Sequence, residues 1–337
     1  MKKTFSILTV IALAFALLTG CTGNEPEPSI EASPPADLGS VKLATLRGPT
    51  TMGLVKLLED AKSENLSYTV DNTIYGAADE VTALLINGDV DMAAIPCNLA
   101  SILYNKTEGA IQIAAVNTLG VIDIIEVGDS IKSIEDLKGK TIYSTGKGTT
   151  PEFALNAILR SNDIDPKTDL TIEFKSEATE IAALLTGENA VENAIAVLPQ
   201  PYASTVIMGN PDARVALDLS EEWDKSDLDG NLVTGVLVMR RDFSEQNPEL
   251  VKSFLADYAD SVAWVNANNE DAAVLIAEAG IVPKAEVAVT ALPYSNIVFK
   301  TGEEMKTAVS SYLSVLFEQD PASVGGTLPN EDLFYQT

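Results

Sequence analysis

The stretch VKLATLRGPTTMGLVKLL, Val41 to Leu58, decides how this chain is read. Val41, Leu43, Ala44 and Leu46 make an apolar strand, and Gly48 and Pro49 break it. Leu54, Val55, Leu57 and Leu58 then recur on one helical stripe, with Thr50 or Thr51 placed to cap that helix. In an open α/β sheet, the loop beyond a strand's carboxyl end faces the ligand crevice. The unpaired N–H groups of the following helix offer hydrogen bonds to a ligand's oxygens. The same residues also suit a plain strand–turn–helix unit that binds nothing.

Outward from this unit the pattern recurs. Ser67–Ile74, Asp89–Ile95 and Ile111–Val116 read as strands. Gly76–Asn87 reads as a helix, and Asn98 caps another after the exit loop Pro96-Cys97-Asn98. The alternation restarts with a strand at Val121–Glu126, a short helix at Ser133–Leu137 with a Ser-x-x-Asp start, and a strand at Lys140–Ser144. Thr145–Thr150 is a glycine-rich exit loop, and Thr150 caps a helix that has Pro151 first and Glu152 in its first turn. This is the geometry of Gly48–Met52 a second time, although no internal repeat stands out. Leu170–Phe174, Glu177–Leu185, Ala194–Leu198 and Pro201–Met208 continue the series. Asn231–Phe243 reads as a strand long enough to run between two lobes. An amphipathic helix starts at Asn247-Pro248-Glu249 and reaches about Val265, and helices fill most of Glu270–Phe317. Asp320–Thr337 holds Pro, Gly and aromatic residues suited to wrapping a surface. Strands alternating with helices imply an α/β fold with a parallel or mixed doubly wound sheet.

Composition narrows the function. The 337 residues hold 22 Lys+Arg against 49 Asp+Glu, a net charge of −27. That balance opposes nucleic-acid binding and adsorption to anionic lipid. Histidine is absent, which removes Ser-His-Asp and Cys-His catalysis and every His-ligated metal or haem site. No catalytic residue, metal site or cofactor is therefore assigned. A catalytic reading would need convergent carboxylates, and spacing nominates none. The two cysteines, Cys21 and Cys97, each have an individual reading, and Cys97 is a small core residue.

The first forty residues are an address. Lys2 and Lys3 precede an apolar run, Phe5–Leu18, too short for a typical membrane span. Leu18-Thr19-Gly20-Cys21 resembles the lipobox of bacterial lipoproteins, which implies cleavage of residues 1–20 and a palmitate-type lipid anchor on Cys21. Residues 21–40 form a Pro-, Glu- and Ser-rich tether with little to bury. The expected location is the extracytoplasmic face of the cell membrane, lipid-anchored.

The order of these features resembles the solute-binding lipoproteins of ABC importers, of the nitrate/sulfonate/taurine and thiamin-pyrimidine (NMT1/THI5-like) type. The runs that carry it are Ser133–Thr141 with the strand and loop to Thr150, Pro199-Gln200-Pro201-Tyr202, and Phe243–Val265 with its late Trp264. The resemblance implies a two-lobed periplasmic-binding-protein-like fold of type II with two hinge crossings. Lobe I is then 41–118 plus 234–337 and lobe II is 119–233, with a small organic anion or heteroaromatic solute held between them. It also implies delivery to an ABC permease by a monomer that is not an enzyme. A ligand-sensing lipoprotein reporting to a membrane receptor, or an enzyme on the same fold, would share these features.

The implied contacts follow by position. Arg47, Gly48, Thr50, Thr51 and Met52 come from the first loop, where Arg47 is either the partner of an anionic group or a surface charge. Pro96 and Asn98 come next, with Asn98 either a contact or a helix cap. Asn117 and Thr118 lie at one crossing and Thr234 at the other. Gly148, Thr149 and Thr150 offer the second lobe's amides, and Lys147 is expected to point to solvent. Gln200 and Tyr202 follow a strand end, where Tyr202 either stacks on a flat ligand or packs in the core. Glu152 puts a negative charge beside the second lobe's amides, which disfavours nitrate or sulfate.

Overall fold

Apolar strands alternating with amphipathic helices condense here into two sheets. In the computed structural model, residues 37–186, 190–226 and 228–336 are described. Cys21, the signal and most of the tether lie outside them. Among the described residues no helix is long and apolar enough to cross a membrane.

The first sheet is built from β1 (Ser40–Leu46), β2 (Thr69–Tyr75), β3 (Met92–Pro96), β4 (Ile111–Thr118), β10 (Gly235–Arg240) and β11 (Ile297–Lys300), ordered β2-β1-β3-β10-β4-β11. The second holds β5 (Ile122–Val127), β6 (Thr141–Ser144), β7 (Thr171–Phe174), β8 (Ile195–Pro199) and β9 (Ala213–Asp218), ordered β7-β6-β8-β5-β9. Helices α1 (Pro49–Met52), α2 (Val55–Lys62), α3 (Ala78–Asn87) and α4 (Cys97–Lys106) serve the first sheet. Helices α5 (Thr150–Ser161), α6 (Ala178–Thr186), α7 (Tyr202–Gly209) and α8 (Leu219–Lys225) serve the second. The chain then returns to the first through α9 (Arg241–Gln246), α10 (Pro248–Ala267), α11 (Asn269–Glu278), α12 (Ala285–Ala291) and α13 (Gly302–Gln319). It is the two-lobed architecture of periplasmic binding proteins.

The two lobes repeat one topology. β1, β2, β3, β10 and β4 correspond in order to β6, β7, β8, β5 and β9, and the returning strand, β10 or β5, is antiparallel to both its neighbours. The sequence hides this repeat, but the sheet order exposes it. The turns after β1 and β6 stand at corresponding strand ends. The two glycine–threonine turns are therefore equivalent by topology, not only similar in composition.

Three local readings are corrected. The helix expected to run on to Leu58 is broken into α1 and α2, because the Ser261 hydroxyl from α10 inserts at the break. It accepts from the Leu57 N–H at 3.1 Å and donates to the Gly53 carbonyl at 2.7 Å, replacing a helical hydrogen bond. The strand at Asn231–Phe243 is only Gly235–Arg240 and stays in the first sheet, so it does not run between lobes. β11 lies in a stretch read as helical, and β9 was not foreseen.

Core packing ties the lobes together behind the sheets. One apolar cluster runs from β3 and α4 through β5 and α5 to α13, where Trp223 of α8 meets Tyr312 with ring centroids 5.6 Å apart. The capping box at Ser133 and Asp136 forms as the sequence implied. The C-terminal segment lies along α4, whose Ser101 and Asn105 donate to the Val324 carbonyl at 2.8 and 2.9 Å.

Candidate functional site

The carboxyl ends of the parallel strands of both sheets converge on one cleft of about 540 Å³. The first lobe contributes the turn after β1 (Leu46–Thr50), the start of α3 (Gly76–Asp79, with Thr82), and Pro96 and Leu99 after β3. The second contributes the turn after β6 (Thr145–Pro151), the start of α6 (Lys175–Ala178), and Pro199 and Tyr202 after β8. Ile122 and Thr234 lie where the chain changes sheet. The two threonine turns thus share one cavity.

Of the residues expected at a ligand, Arg47, Gly48, Thr50, Pro96, Gly148, Thr149, Thr150, Tyr202 and Thr234 line this cleft. Thr51, Met52, Asn98, Asn117, Thr118 and Gln200 do not, since all six are buried behind it. Met52 is apolar and packs in the first lobe's core. Asn117 donates to the Thr50 carbonyl at 3.5 Å and accepts from Thr118 at 3.0 Å, so the pair props the first turn from below. Gln200 donates to Asp123 at 2.9 Å and accepts from the Ser204 hydroxyl at 2.8 Å, which fixes the start of α7.

None of the expected threonine or asparagine caps forms. Thr50 and Thr51 donate back to the Leu46 carbonyl, at 3.4 and 2.5 Å. Asn98 stands inside α4, after Pro96 at its N-cap, and makes no cap bond. Thr150 lies inside α5, after Thr149 at its N-cap. The Gly148 amide is already taken, donating to the Glu152 carboxylate at 2.6 Å. The second lobe's turn is therefore less open to a small inorganic anion than its glycines suggest.

The charge inside the cleft runs against that of the whole protein. Arg47, Lys147 and Lys175 face Asp79 and Glu177, three cations to two acids in a chain of net charge −27. Lys147 is exposed, as expected, and also lines the cleft, with its ammonium 5.8 Å from the centre of the Phe174 ring. Arg47 is exposed, and neither it nor Lys147 is in an ion pair among the described residues. The two cations lie in corresponding turns, one on each wall. Tyr202 spans the cleft, its hydroxyl 3.5 Å from the Arg47 carbonyl. Burial pushes its phenol up to about 12, with Arg47 pulling it down and Glu177 pushing it up.

Two lining segments were missed in the sequence, Gly76–Asp79 and Lys175–Ala178. The signal available was their place, since each follows a strand whose neighbour already ends at the crevice. At the cleft wall they meet, with the Glu177 carboxylate standing where a side chain on Gly76 would be, 2.6 Å from that Cβ position. No cluster of His, Cys, Asp and Glu suited to a metal occurs among the described residues.

A family model described as NMT1/THI5 like matches residues 69–272. Among solved structures, the chain resembles an ABC transporter protein of Parabacteroides distasonis, at 23% identity over 88% of this chain and 99% of that one, with a TM-score of 0.71. It also resembles the periplasmic aliphatic sulphonate-binding protein of Escherichia coli, at 17% identity over 90% and 93%, with a TM-score of 0.68. A third is the periplasmic nitrate-binding protein of Synechocystis, at 16% identity over 79% and 70%, with a TM-score of 0.56. At these identities the likeness is one of fold. No curated protein sequence matches.

Proposed function

Since the chain belongs to the NMT1/THI5-like family, we propose that it is an extracytoplasmic solute-binding protein that traps a small organic anion between its lobes and delivers it to an ABC importer. The observation that carries this is the pair Arg47 and Lys147, in the corresponding turns of opposite walls and free of ion pairs among the described residues. In a chain with 49 acids, two cations without an acidic partner facing one cleft are suited to an anionic guest. A carboxylate, sulfonate or phosphate group would sit between them.

The rest of the ligand follows from size and lining. About 540 Å³ is the volume of a site for a molecule with a carbon skeleton. Leu46, Leu99, Ile122, Pro199 and the Tyr202 ring offer it apolar and flat surfaces. Nitrate and sulfate are disfavoured, because Glu152 already holds the Gly148 amide. Closure is a hinge motion about the chain's passages at residues 119–121 and 228–234, stabilised by a solute that touches both walls. Binding is reversible and without turnover. The lipid on Cys21 keeps the body at the membrane surface, beside the permease.

The test is mass spectrometry of the solute that copurifies with the protein, then calorimetry of that solute on the stripped protein. The expected result is an unchanged small organic anion bound one to one. Recovery of a chemically altered solute, or binding of cations alone, would overturn the reading.

A further inference from the structure

Asn98 is an expected ligand contact whose side chain joins the two lobes from behind the cleft. It is fully buried and does not line the cleft. Its amide nitrogen donates to the Gly148 carbonyl of the second lobe at 3.3 Å and to the Ser323 carbonyl of the C-terminal segment at 3.1 Å. Its amide oxygen accepts from the Thr150 hydroxyl at 3.3 Å. Both amide hydrogens and the carbonyl are thus engaged, with no solvent to compete.

The pseudo-symmetry of the lobes makes this bond one-sided. In the corresponding turn, Thr50 and Thr51 both turn their hydroxyls back to Leu46 in their own lobe. Counting from the matched strand ends Pro96 and Pro199, the counterpart of Asn98 is Pro201, which has no amide side chain. The crossing bond is therefore a separate device and not a product of the shared fold.

We propose that Asn98 is a positioning residue that latches the closed cleft through Thr150 and Gly148, so that affinity is tuned by a group the solute never touches. The proposal rests on the hinged binding reading above. α4, which carries Asn98, follows β3, one strand from the returning strand β10, and the Gly148–Thr150 turn follows β6, two strands from β5. Those offsets are about 5 and 10 Å. Opening at this depth by even a few ångströms stretches the bonds beyond hydrogen-bond length. An open protein leaves the Asn98 amide without its cross-lobe partners, and that cost biases the solute-free protein toward closure. Binding then draws on a larger competent population.

The experiment uses the solute-free, full-length protein and small-angle scattering, with thermal melting as a fold control. Thr150→Val removes the hydroxyl at nearly constant volume, Thr150→Ser restores it, and Asn98→Ala removes all three bonds. Thr150→Val is expected to raise the radius of gyration, with the closed-to-open ratio falling roughly fivefold, the effect of one hydrogen bond. Thr150→Ser should keep the parent profile. Should Asn98→Ala fail to fold, the Val and Ser pair decides alone. A Thr150→Val profile that superimposes on the parent, or a Ser variant that opens like Val, would overturn the latch. The readout needs no solute. If Thr150→Val opens the cleft and no organic anion binds the parent, the latch stands and the transport reading falls.

Discussion

Replacing Asp123 with Asn should stabilise the protein in alkaline solution much more than in acid. Asp123 sits on β5, paired in register with Asp218 on β9, and is only 7% exposed. Burial and then the Asp218 charge push its carboxyl up from 3.8 to about 7, and the hydrogen bond from Gln200 offsets part of this. Asp218 cannot turn away, because it caps α8 by accepting from the Ser220 amide at 2.7 Å. A carboxyl whose folded pKa is raised holds its proton longer in the folded state. Its penalty on stability is absent below the unfolded value, grows as pH rises, and is complete above about 7. The full shift corresponds to about 4 kcal/mol, of which about 3 kcal/mol falls between pH 5 and pH 8. The Asn side chain keeps an acceptor for Gln200, so the link from Asp123 to Ser204 and α7 is preserved. Denaturant unfolding of parent and Asp123→Asn at pH 5, 6, 7 and 8 reads this group together with its coupling to Asp218, since titrations uncoupled from it cancel in the difference. The gap in unfolding free energy should widen in the variant's favour by about 3 kcal/mol across that range. A gap that stays constant with pH would refute the assignment.

Other substitutions probe the cleft and its supports. Arg47→Ala should weaken an anionic solute by about 1.5–3 kcal/mol in calorimetry, the scale of a charged hydrogen bond, and unchanged affinity would remove Arg47 from the site. Gly235→Ala would place a Cβ 2.5 Å from Thr50 Cγ2 and 2.7 Å from Asn117 Oδ1, so it should lower unfolding free energy by about 1–3 kcal/mol. Cys21→Ala should move the protein from the membrane pellet to the soluble fraction, and retention in the pellet would remove the lipid assignment.

The alternation of strands and helices was readable because buried parallel strands show as apolar runs and glycine turns mark their ends. What the sequence could not show was set by partners far along the chain. Ser261, some two hundred residues from Gly53, breaks the first helix. Thr50 and Thr150 looked alike as caps, yet one bonds to its own strand and the other across the lobes. The repeat of the lobes was visible only in the two glycine–threonine turns, after β1 and after β6. β9 and β11 escaped notice because both are short edge strands, half polar or set among helices.

The most direct test of the central claim is a crystal structure of the protein with its copurified solute. The account predicts density for an organic anion between the turns after β1 and β6, its charged group within hydrogen-bond distance of Arg47 and Lys147. Density for the solute outside that cleft, or in it with the anionic group turned away from both cations, would contradict it.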